Sequence, residues 1–193
     1  MGMRNIIVGQ SGGPTSVINS SLAGVYKTAI ERGFDKVYGM LHGIQGFLDE
    51  QYVDLSTQIH SDMDIELLKR TPSAFLGSCR YKLPEIHEDM EIYEKIFGIL
   101  DKLEIEAFIY IGGNDSMDTV AKLSAYLTSV NSPIRVIGIP KTIDNDLMYT
   151  DHTPGFGSAV KYVTTTLAEI AQDSAVYNLP SVTIVEIMGR DAG

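Results

Sequence analysis

The chain has 193 residues, of which 44% are hydrophobic and 21% are charged, as expected for a globular domain with a sizeable core. A formal net charge of −10 argues against broad binding to nucleic acids or anionic membranes, so an anionic ligand needs local cations and backbone amides. A single cysteine, Cys79, excludes an internal disulfide, and the absence of a signal-like start or a long apolar run favours a cytoplasmic protein without a membrane span.

Five short apolar segments predict strands that are buried on both faces: 5–9, 36–40, 107–111, 134–139 and 182–187. Apolar residues at helical spacing between them predict amphipathic helices, with faces formed by Ile18, Leu22, Val25 and Ala29; by Ile86, Met90, Tyr93, Phe97 and Leu100; by Val120, Leu123 and Leu127; and by Phe156, Val160, Val163, Leu167 and Ile170. This alternation predicts an α/β fold, with a doubly wound, Rossmann-like, mainly parallel sheet and helices on both faces. We expect residues 1–193 to form one domain, and the strand so near Gly193 predicts that further chain completes the sheet.

A glycine-rich turn follows the first predicted strand, at the edge where open parallel sheets bind ligands. Gly12 and Gly13 would let backbone amides approach an anion, and the start of the next helix adds partial positive charge. The turn matches neither the dinucleotide-binding nor the P-loop fingerprint. A tight strand–helix turn capped by Ser16 explains it equally well.

A second polar turn, IGGNDSMDT, follows the strand at 107–111. Asn114, Asp115 and Ser116 fall in the first turn of the next helix, where such residues commonly act as caps. Two glycines followed by three polar residues exceed what a cap requires, which favours phosphate or metal binding. Asp118 fits an ordinary position in the helix.

The most polar turn is PKTIDNDL, at 140–147. Asp144 and Asp146 flank an asparagine, so their carboxylates can converge on a hard cation or on a substrate hydroxyl. A turn stabilised by the asparagine, with solvated carboxylates, is the alternative. Lys141 equally fits an exposed turn lysine, and Arg190 after the last strand fits either a phosphate ligand or a surface residue.

Two other glycine-containing stretches lie outside these turns. The segment FLGSCRYK, at 75–82, carries Arg80 and Lys82 and is a candidate phosphate-binding loop. Cys79 has no nearby histidine to activate it, and the four histidines of the chain lack the spacing of metal ligands. We interpret the glycine-containing segment 41–47 as an ordinary loop.

Together these motifs resemble the phosphofructokinase family. The resemblance covers essentially the whole chain, in the order SGG, F-L-G-S-x-R, I-G-G-x-x-S, P-x-T-I-D-N-D and M-G-R. It implies the phosphofructokinase fold and the transfer of a phosphoryl group to the 1-hydroxyl of fructose 6-phosphate, a reaction that depends on alignment and charge neutralisation.

The resemblance also implies roles for individual residues. Asp144 falls at the general base. The sugar would contact Thr142, Asp144, Met188, Gly189 and Arg190. The donor phosphates would bind Gly12, Gly13, Arg80 and Ser116, and Mg²⁺ would bind Asn114 and Asp146.

Two departures from the ATP-using pattern resemble the pyrophosphate-dependent branch of the family. Asp115 stands where that pattern has a glycine that makes room for the α-phosphate of ATP, and Lys141 stands where it has another glycine. We therefore assign both residues to catalysis with pyrophosphate as the donor. Ile44, in place of an aromatic platform for adenine, is a weaker hint. Asn114 replaces the aspartate usual at the metal position, which leaves the metal ligands open.

Three alternatives remain from the sequence. They are an ATP-dependent phosphofructokinase, a non-catalytic regulatory or binding subunit with the same fold, and a simple nucleotide-binding module. The family also places sugar-phosphate ligands further along the chain and on a neighbouring subunit. We therefore expect a homo-oligomer, a dimer or a tetramer, in which residues 1–193 form the donor-binding domain and are inactive alone.

Overall fold

The computed structural model describes residues 5–187, which form a five-stranded sheet with helices on both faces. The strands are β1 (Asn5–Gln10), β2 (Lys36–Met40), β3 (Tyr52–Asp54), β4 (Ile105–Gly112) and β5 (Arg135–Pro140). The helices are α1 (Ile18–Glu31), α2 (Gly43–Leu48), α3 (Asp62–Arg70), α4 (Met90–Lys102), α5 (Asn114–Ser129) and α6 (Phe156–Ser174), and a 3₁₀ turn spans Leu55–Thr57. The predicted doubly wound architecture is confirmed.

The sheet has the strand order β3-β2-β1-β4-β5. β1 pairs in parallel with β2 and with β4, and β4 pairs in parallel with β5, whereas the short β3 runs antiparallel to β2. The chain winds outward from β1 in one direction and then returns to continue from β4 in the other. The carboxyl ends of β1 and β4 therefore flank the point where the winding reverses, which is the usual ligand site of such sheets.

Two hydrophobic cores lie on opposite faces of the sheet, because successive side chains of a strand point to opposite sides. Ile7 of β1 joins the core beneath α2, α4 and α5, while its neighbours Ile6 and Val8 join the core beneath α1 and α3. Strands buried on both faces account for the continuous apolar segments in the sequence.

The part of the chain that the structure describes contains no helix that is both long and apolar enough to cross a bilayer.

Three local predictions were wrong. The segment 182–187 forms no strand, and Val182 and Ile184 are each 90% exposed. Its apolar composition favours a strand only where a neighbouring strand and a core cover it, and β5 is the edge of the described sheet. The supposed loop at 41–47 contains α2, whose Ile44 and Phe47 are both fully buried. The helix expected to include Ile86 begins later as α4, where the Asp89 carboxylate accepts a hydrogen bond from the Ile92 N–H at 3.3 Å.

Candidate functional site

A cavity of about 470 Å³ lies at the carboxyl ends of β1, β4 and β5. It occupies the point where the winding of the sheet reverses, and its walls are formed by the turns after β1, β4 and β5 and by residues 79–82. Four of the motifs predicted from the sequence thus contribute residues here, although they are far apart along the chain; most of the fifth, at 186–193, lies outside the described residues. The lining includes ten of the predicted site residues: Gly12, Gly13, Arg80, Asn114, Asp115, Ser116, Lys141, Thr142, Asp144 and Asp146.

The turn after β1 presents backbone to this cavity. Gly12 has φ of +77°, a conformation that side chains rarely adopt, and its amide donates to the Cys79 carbonyl at 3.0 Å. The first helical residue after the turn is Ile18, and the preceding Val17 makes no side-chain cap. The alternative in which Ser16 caps the helix is therefore wrong. Anion binding by this turn stays a prediction, and the Gly12 N–H is already bonded within the protein.

The turn after β4 is held against the turn after β1 by two buried serines. Ser116 is 2% exposed and its hydroxyl lies 3.0 Å from the hydroxyl of Ser11. A Cβ at Gly112 would lie 2.0 Å from the Ser116 oxygen, so only glycine permits this approach. α5 begins after Gly113 without a side-chain cap, which means that Asn114 and Asp115 do not serve as its cap.

Lys141 joins the three turns. The residue is only 3% exposed, so the alternative of an exposed turn lysine is wrong. Its ammonium group donates to the carbonyl of Gly13, and its backbone N–H donates to the Gly112 carbonyl at 2.9 Å. Burial lowers the pKa of Lys141, the nearby Arg80 lowers it further, and Asp144 opposes the shift. Two cations that line the same cavity and repel each other favour an anion beside them.

The loop after β5 is organised by Asn145. This residue has φ of +52°; its side-chain oxygen accepts from the Thr153 N–H at 2.9 Å, and its nitrogen donates to the Asp151 carbonyl at 3.3 Å. The sequence left open that the whole motif is only a turn stabilised by the asparagine. In the structure, Asn145 has this structural role. Its neighbours Asp144 and Asp146 instead line the cavity.

Polar contacts also cross the cavity between loops. The Asn114 amide nitrogen donates to a carboxylate oxygen of Asp146 at 3.0 Å. The Lys82 ammonium lies 3.4 Å from a carboxylate oxygen of Asp115, and both side chains are exposed. Asn114 and Asp146 thus lie side by side, as a shared role in metal binding requires, and the charge of Asp115 is partly balanced at the mouth of the cavity.

The predicted sugar ligands Met188, Gly189 and Arg190 lie outside the described residues. Ser11 and Thr15 line the cavity but were missed; their position just after a strand was the available signal. Cys79 is buried, with its sulfur 3.7 Å from the Tyr110 hydroxyl. Ile44 is buried within α2.

Within residues 5–187, no cluster of three or more histidine, cysteine, aspartate or glutamate side chains is arranged to hold a metal ion. The oxygen donors Asn114 and Asp146 nevertheless suit Mg²⁺, which binds proteins through one or two carboxylates and keeps several waters.

The chain is similar to several proteins of known name. A protein from Rhodospirillum rubrum named pyrophosphate–fructose 6-phosphate 1-phosphotransferase is 42% identical over 97% of this chain, and one of the same name from Xanthomonas campestris pv. campestris is 44% identical over 98%. The chain spans 45% of the length of each. A relative from Clostridium acetobutylicum named ATP-dependent 6-phosphofructokinase is 33% identical over 99% of this chain and 54% of its own length.

Solved structures agree with these relatives. The crystal structure of a pyrophosphate-dependent phosphofructokinase from Nitrosospira multiformis matches with a TM-score of 0.82 and 39% identity, covering 91% of this chain and 43% of that one. The sequence profile described as Phosphofructokinase matches residues 5–193. The strand order, the cavity at its reversal point and this match together show that the chain belongs to the phosphofructokinase family.

Proposed function

We propose that the complete protein transfers a phosphoryl group from pyrophosphate to the 1-hydroxyl of fructose 6-phosphate, with residues 1–193 as its donor-binding domain. The observation that carries the proposal is the buried Lys141, whose ammonium group reaches the Gly13 carbonyl in the turn after β1. A buried cation at this point stabilises the charge on the transferring phosphoryl group and on the leaving phosphate.

The donor would lie along the turns after β1 and β4. Gly12 and Gly13 let the phosphates approach the backbone closely, and the Ser116 turn faces them from β4. Arg80 adds a second cation near Lys141, and its planar guanidinium suits two phosphate oxygens. These groups provide the local positive charge that a chain of net charge −10 needs to bind pyrophosphate.

The acceptor would meet the donor at Asp144. Its carboxylate takes the proton from the 1-hydroxyl as that oxygen bonds to the phosphorus, and the bond from phosphorus to the bridging oxygen breaks to release inorganic phosphate. The Asp144 N–H donates to the Thr142 hydroxyl oxygen at 3.0 Å, which fixes the start of the loop. We assign Thr142, Met188, Gly189 and Arg190 to the sugar phosphate.

Asn114 and Asp146 would hold Mg²⁺ through their side-chain oxygens, since they lie side by side at the cavity. The ion would neutralise charge on the donor phosphates. We also propose that the complete protein is a homo-oligomer. The cytoplasmic location stays a prediction.

Asp115 supports pyrophosphate over ATP. Its carboxylate lies at the mouth of the cavity, in the first turn of α5, where it would repel the α-phosphate of a nucleotide. Pyrophosphate has no third phosphate and would not need to reach this point. The lower identity to the relative named ATP-dependent, 33% against 42–44% for the two named pyrophosphate-dependent, also supports this donor.

The test compares the two donors in the complete protein. With fructose 6-phosphate and Mg²⁺, we expect pyrophosphate to support turnover at a kcat/KM far above that of ATP. The double variant Asp115→Gly with Lys141→Gly is expected to lower kcat/KM for pyrophosphate and raise the ratio in favour of ATP. The variant Asp118→Gly is the control, because it adds a glycine to the same helix at a residue that pairs with Lys122 instead of lining the cavity.

A preference of the wild type for ATP would refute the assignment of the donor. Turnover with neither donor, combined with retained binding of fructose 6-phosphate, would identify a binding or regulatory subunit.

A further inference from the structure

Two amide side chains lie buried on either side of the turn after β1, and the proposed chemistry does not use them. Gln10 is the last residue of β1 and Asn19 is the second residue of α1. Both are 0% exposed. Buried amides are costly unless each polar atom is paired, so the partners of these two indicate what they hold in place.

The two amides bind each other and the start of α1. The nitrogen of the Gln10 side chain donates to the Asn19 side-chain oxygen at 2.9 Å and to the Ile18 carbonyl at 3.1 Å. Both hydrogens of the Gln10 amide are therefore used within the strand–turn–helix unit. The other polar contacts of the two side chains are made with a different segment of the chain.

That segment is the irregular stretch 71–76 that follows α3. The Gln10 side-chain oxygen accepts from the Leu76 N–H at 2.9 Å, and the Asn19 oxygen accepts from the Phe75 N–H at 2.9 Å. The Asn19 nitrogen donates to the Thr71 carbonyl at 2.9 Å. Three backbone groups of this stretch are thus held by two side chains that flank the proposed phosphate-binding turn.

The same stretch leads directly to Arg80. Between Leu76 and Arg80, the Ser78 hydroxyl donates to the Gly12 carbonyl at 2.5 Å and the Cys79 carbonyl accepts from the Gly12 N–H at 3.0 Å. The backbone before Arg80 is therefore fixed first to the two amides and then to the turn itself. Arg80 itself is exposed and lines the cavity.

We infer that Gln10 and Asn19 are positioning residues, which set Arg80 against the Gly12–Gly13 turn so that both bind the same anion. The inference rests on the proposed function for the identity of that anion. Its physical basis is that a guanidinium on a long irregular segment is placed accurately only if the backbone beneath it is fixed.

The test is a double-mutant cycle in the complete protein with Gln10→Met and Arg80→Ala. Methionine keeps the length of the glutamine side chain but cannot hold the Leu76 amide. We expect Gln10→Met to reduce kcat/KM for pyrophosphate by roughly tenfold, since small misplacement of a catalytic group has large effects. In the Arg80→Ala background the same change is expected to have little further effect, and the Kd for pyrophosphate is expected to follow the same pattern.

A control separates positioning from loss of stability. Ile96→Val alters a fully buried residue of α4 in the other core and is expected to lower Tm without changing the KM for pyrophosphate. Asn19→Ala supplies a second cycle with Arg80→Ala if Gln10→Met does not fold. The inference would be overturned if Gln10→Met, or Asn19→Ala, reduced kcat/KM for pyrophosphate by the same factor in the wild type and in the Arg80→Ala variant.

The result of this mutant cycle can be interpreted even if the proposed function is wrong. If the wild type uses ATP, the proposed donor is wrong, and the cycle measured with ATP still decides the role of Gln10. If the wild type has no phosphotransferase activity, the coupling between Gln10 and Arg80 is obtained from the Kd for pyrophosphate, measured for the four proteins of the cycle.

Discussion

The two sides of the cavity are formed by different chemical groups. On the side proposed to bind the donor, here called the donor side, the turns after β1 and β4 contribute glycine backbone and buried hydroxyls, with Ser11 and Ser116 bound to each other at 3.0 Å. On the side proposed to bind the acceptor, here called the acceptor side, the loop after β5 contributes charged side chains, and Asp144 and Asp146 are only partly buried. Lys141 belongs to the loop after β5, but its ammonium group reaches the turn after β1, where it donates to the Gly13 carbonyl.

This difference matches the demands of phosphoryl transfer. Phosphate oxygens are bound well by fixed backbone N–H groups, which need a tight and unstrained turn. Proton removal and metal binding need carboxylates, whose charge would be too costly if fully buried. Changes on the acceptor side should therefore affect turnover, whereas changes on the donor side should affect donor binding and stability.

The largest effect is expected on the acceptor side from Asp144→Asn. The amide keeps the shape of the side chain but cannot accept the proton, so kcat is expected to fall by about 100- to 10,000-fold with little change in Tm. Steady-state kinetics of the complete protein measure this. Asp151→Asn is the control, because Asp151 is exposed on the same loop and does not line the cavity. A kcat close to that of the wild type would remove Asp144 from the role of base.

A nearly equal loss is expected from Lys141→Met, which removes the cation that joins the two sides. The kcat with pyrophosphate is expected to fall by about 100- to 1,000-fold, the usual cost of losing one group that stabilises developing charge. Lys122→Met is the control, since Lys122 is also a largely buried lysine but forms ion pairs with Glu85 and Asp118 instead. If both lysine variants retain turnover, charge at residue 141 is unimportant.

The lowered pKa of Lys141 adds a pH dependence. Because its folded-state pKa lies below the ordinary value of 10.5, the unfolded chain binds more protons between the two values. The free energy of unfolding is therefore expected to rise as the pH increases through that interval, while kcat/KM falls because the charged form is lost. Lys141→Met should abolish the contribution to stability, which urea titrations at several pH values measure.

On the donor side, two glycines are expected to differ. A Cβ at Gly112 would lie 2.0 Å from the Ser116 oxygen, so Gly112→Ala is expected to cost about 1–3 kcal/mol of folding free energy. A Cβ at Gly13 meets nothing within 4 Å, so Gly13→Ala is expected to change stability by less than about 0.5 kcal/mol. It should nevertheless raise the KM for pyrophosphate if the donor lies against that turn. Equal stability of the two variants would contradict the close packing of the serine pair.

The smallest effect is expected from Lys82→Met at the mouth of the cavity. The Lys82–Asp115 pair is exposed and contributes little to stability, but its loss leaves the Asp115 carboxylate facing the donor without compensation. We expect the KM for pyrophosphate to rise about two- to fivefold at low salt and less at high salt. Lys69→Met, which breaks the exposed pair with Glu66 on α3, should leave the KM unchanged.

Local sequence patterns predicted the elements that are long and strongly periodic. The apolar runs of β1, β4 and β5 and the periodic faces of α1 and α5 identified these elements. Short elements were missed because their signal is weak. α2 has only six residues and two glycines, so its helical character depends on burying Ile44 and Phe47. The opposite error occurred at 182–187, where strand composition is present but no described neighbour pairs with it.

The sequence by itself determined which chemical groups are available, through the glycines after β1 and β4 and the aspartates after β5, and it determined the family that their order resembles. Only the tertiary structure decided the state of each group. Whether Lys141 is a surface residue or a buried cation depends on Gly13, which is distant in sequence. The role of the buried Gln10–Asn19 pair likewise depends on partners at 71–76, which only the folded chain brings within hydrogen-bonding distance.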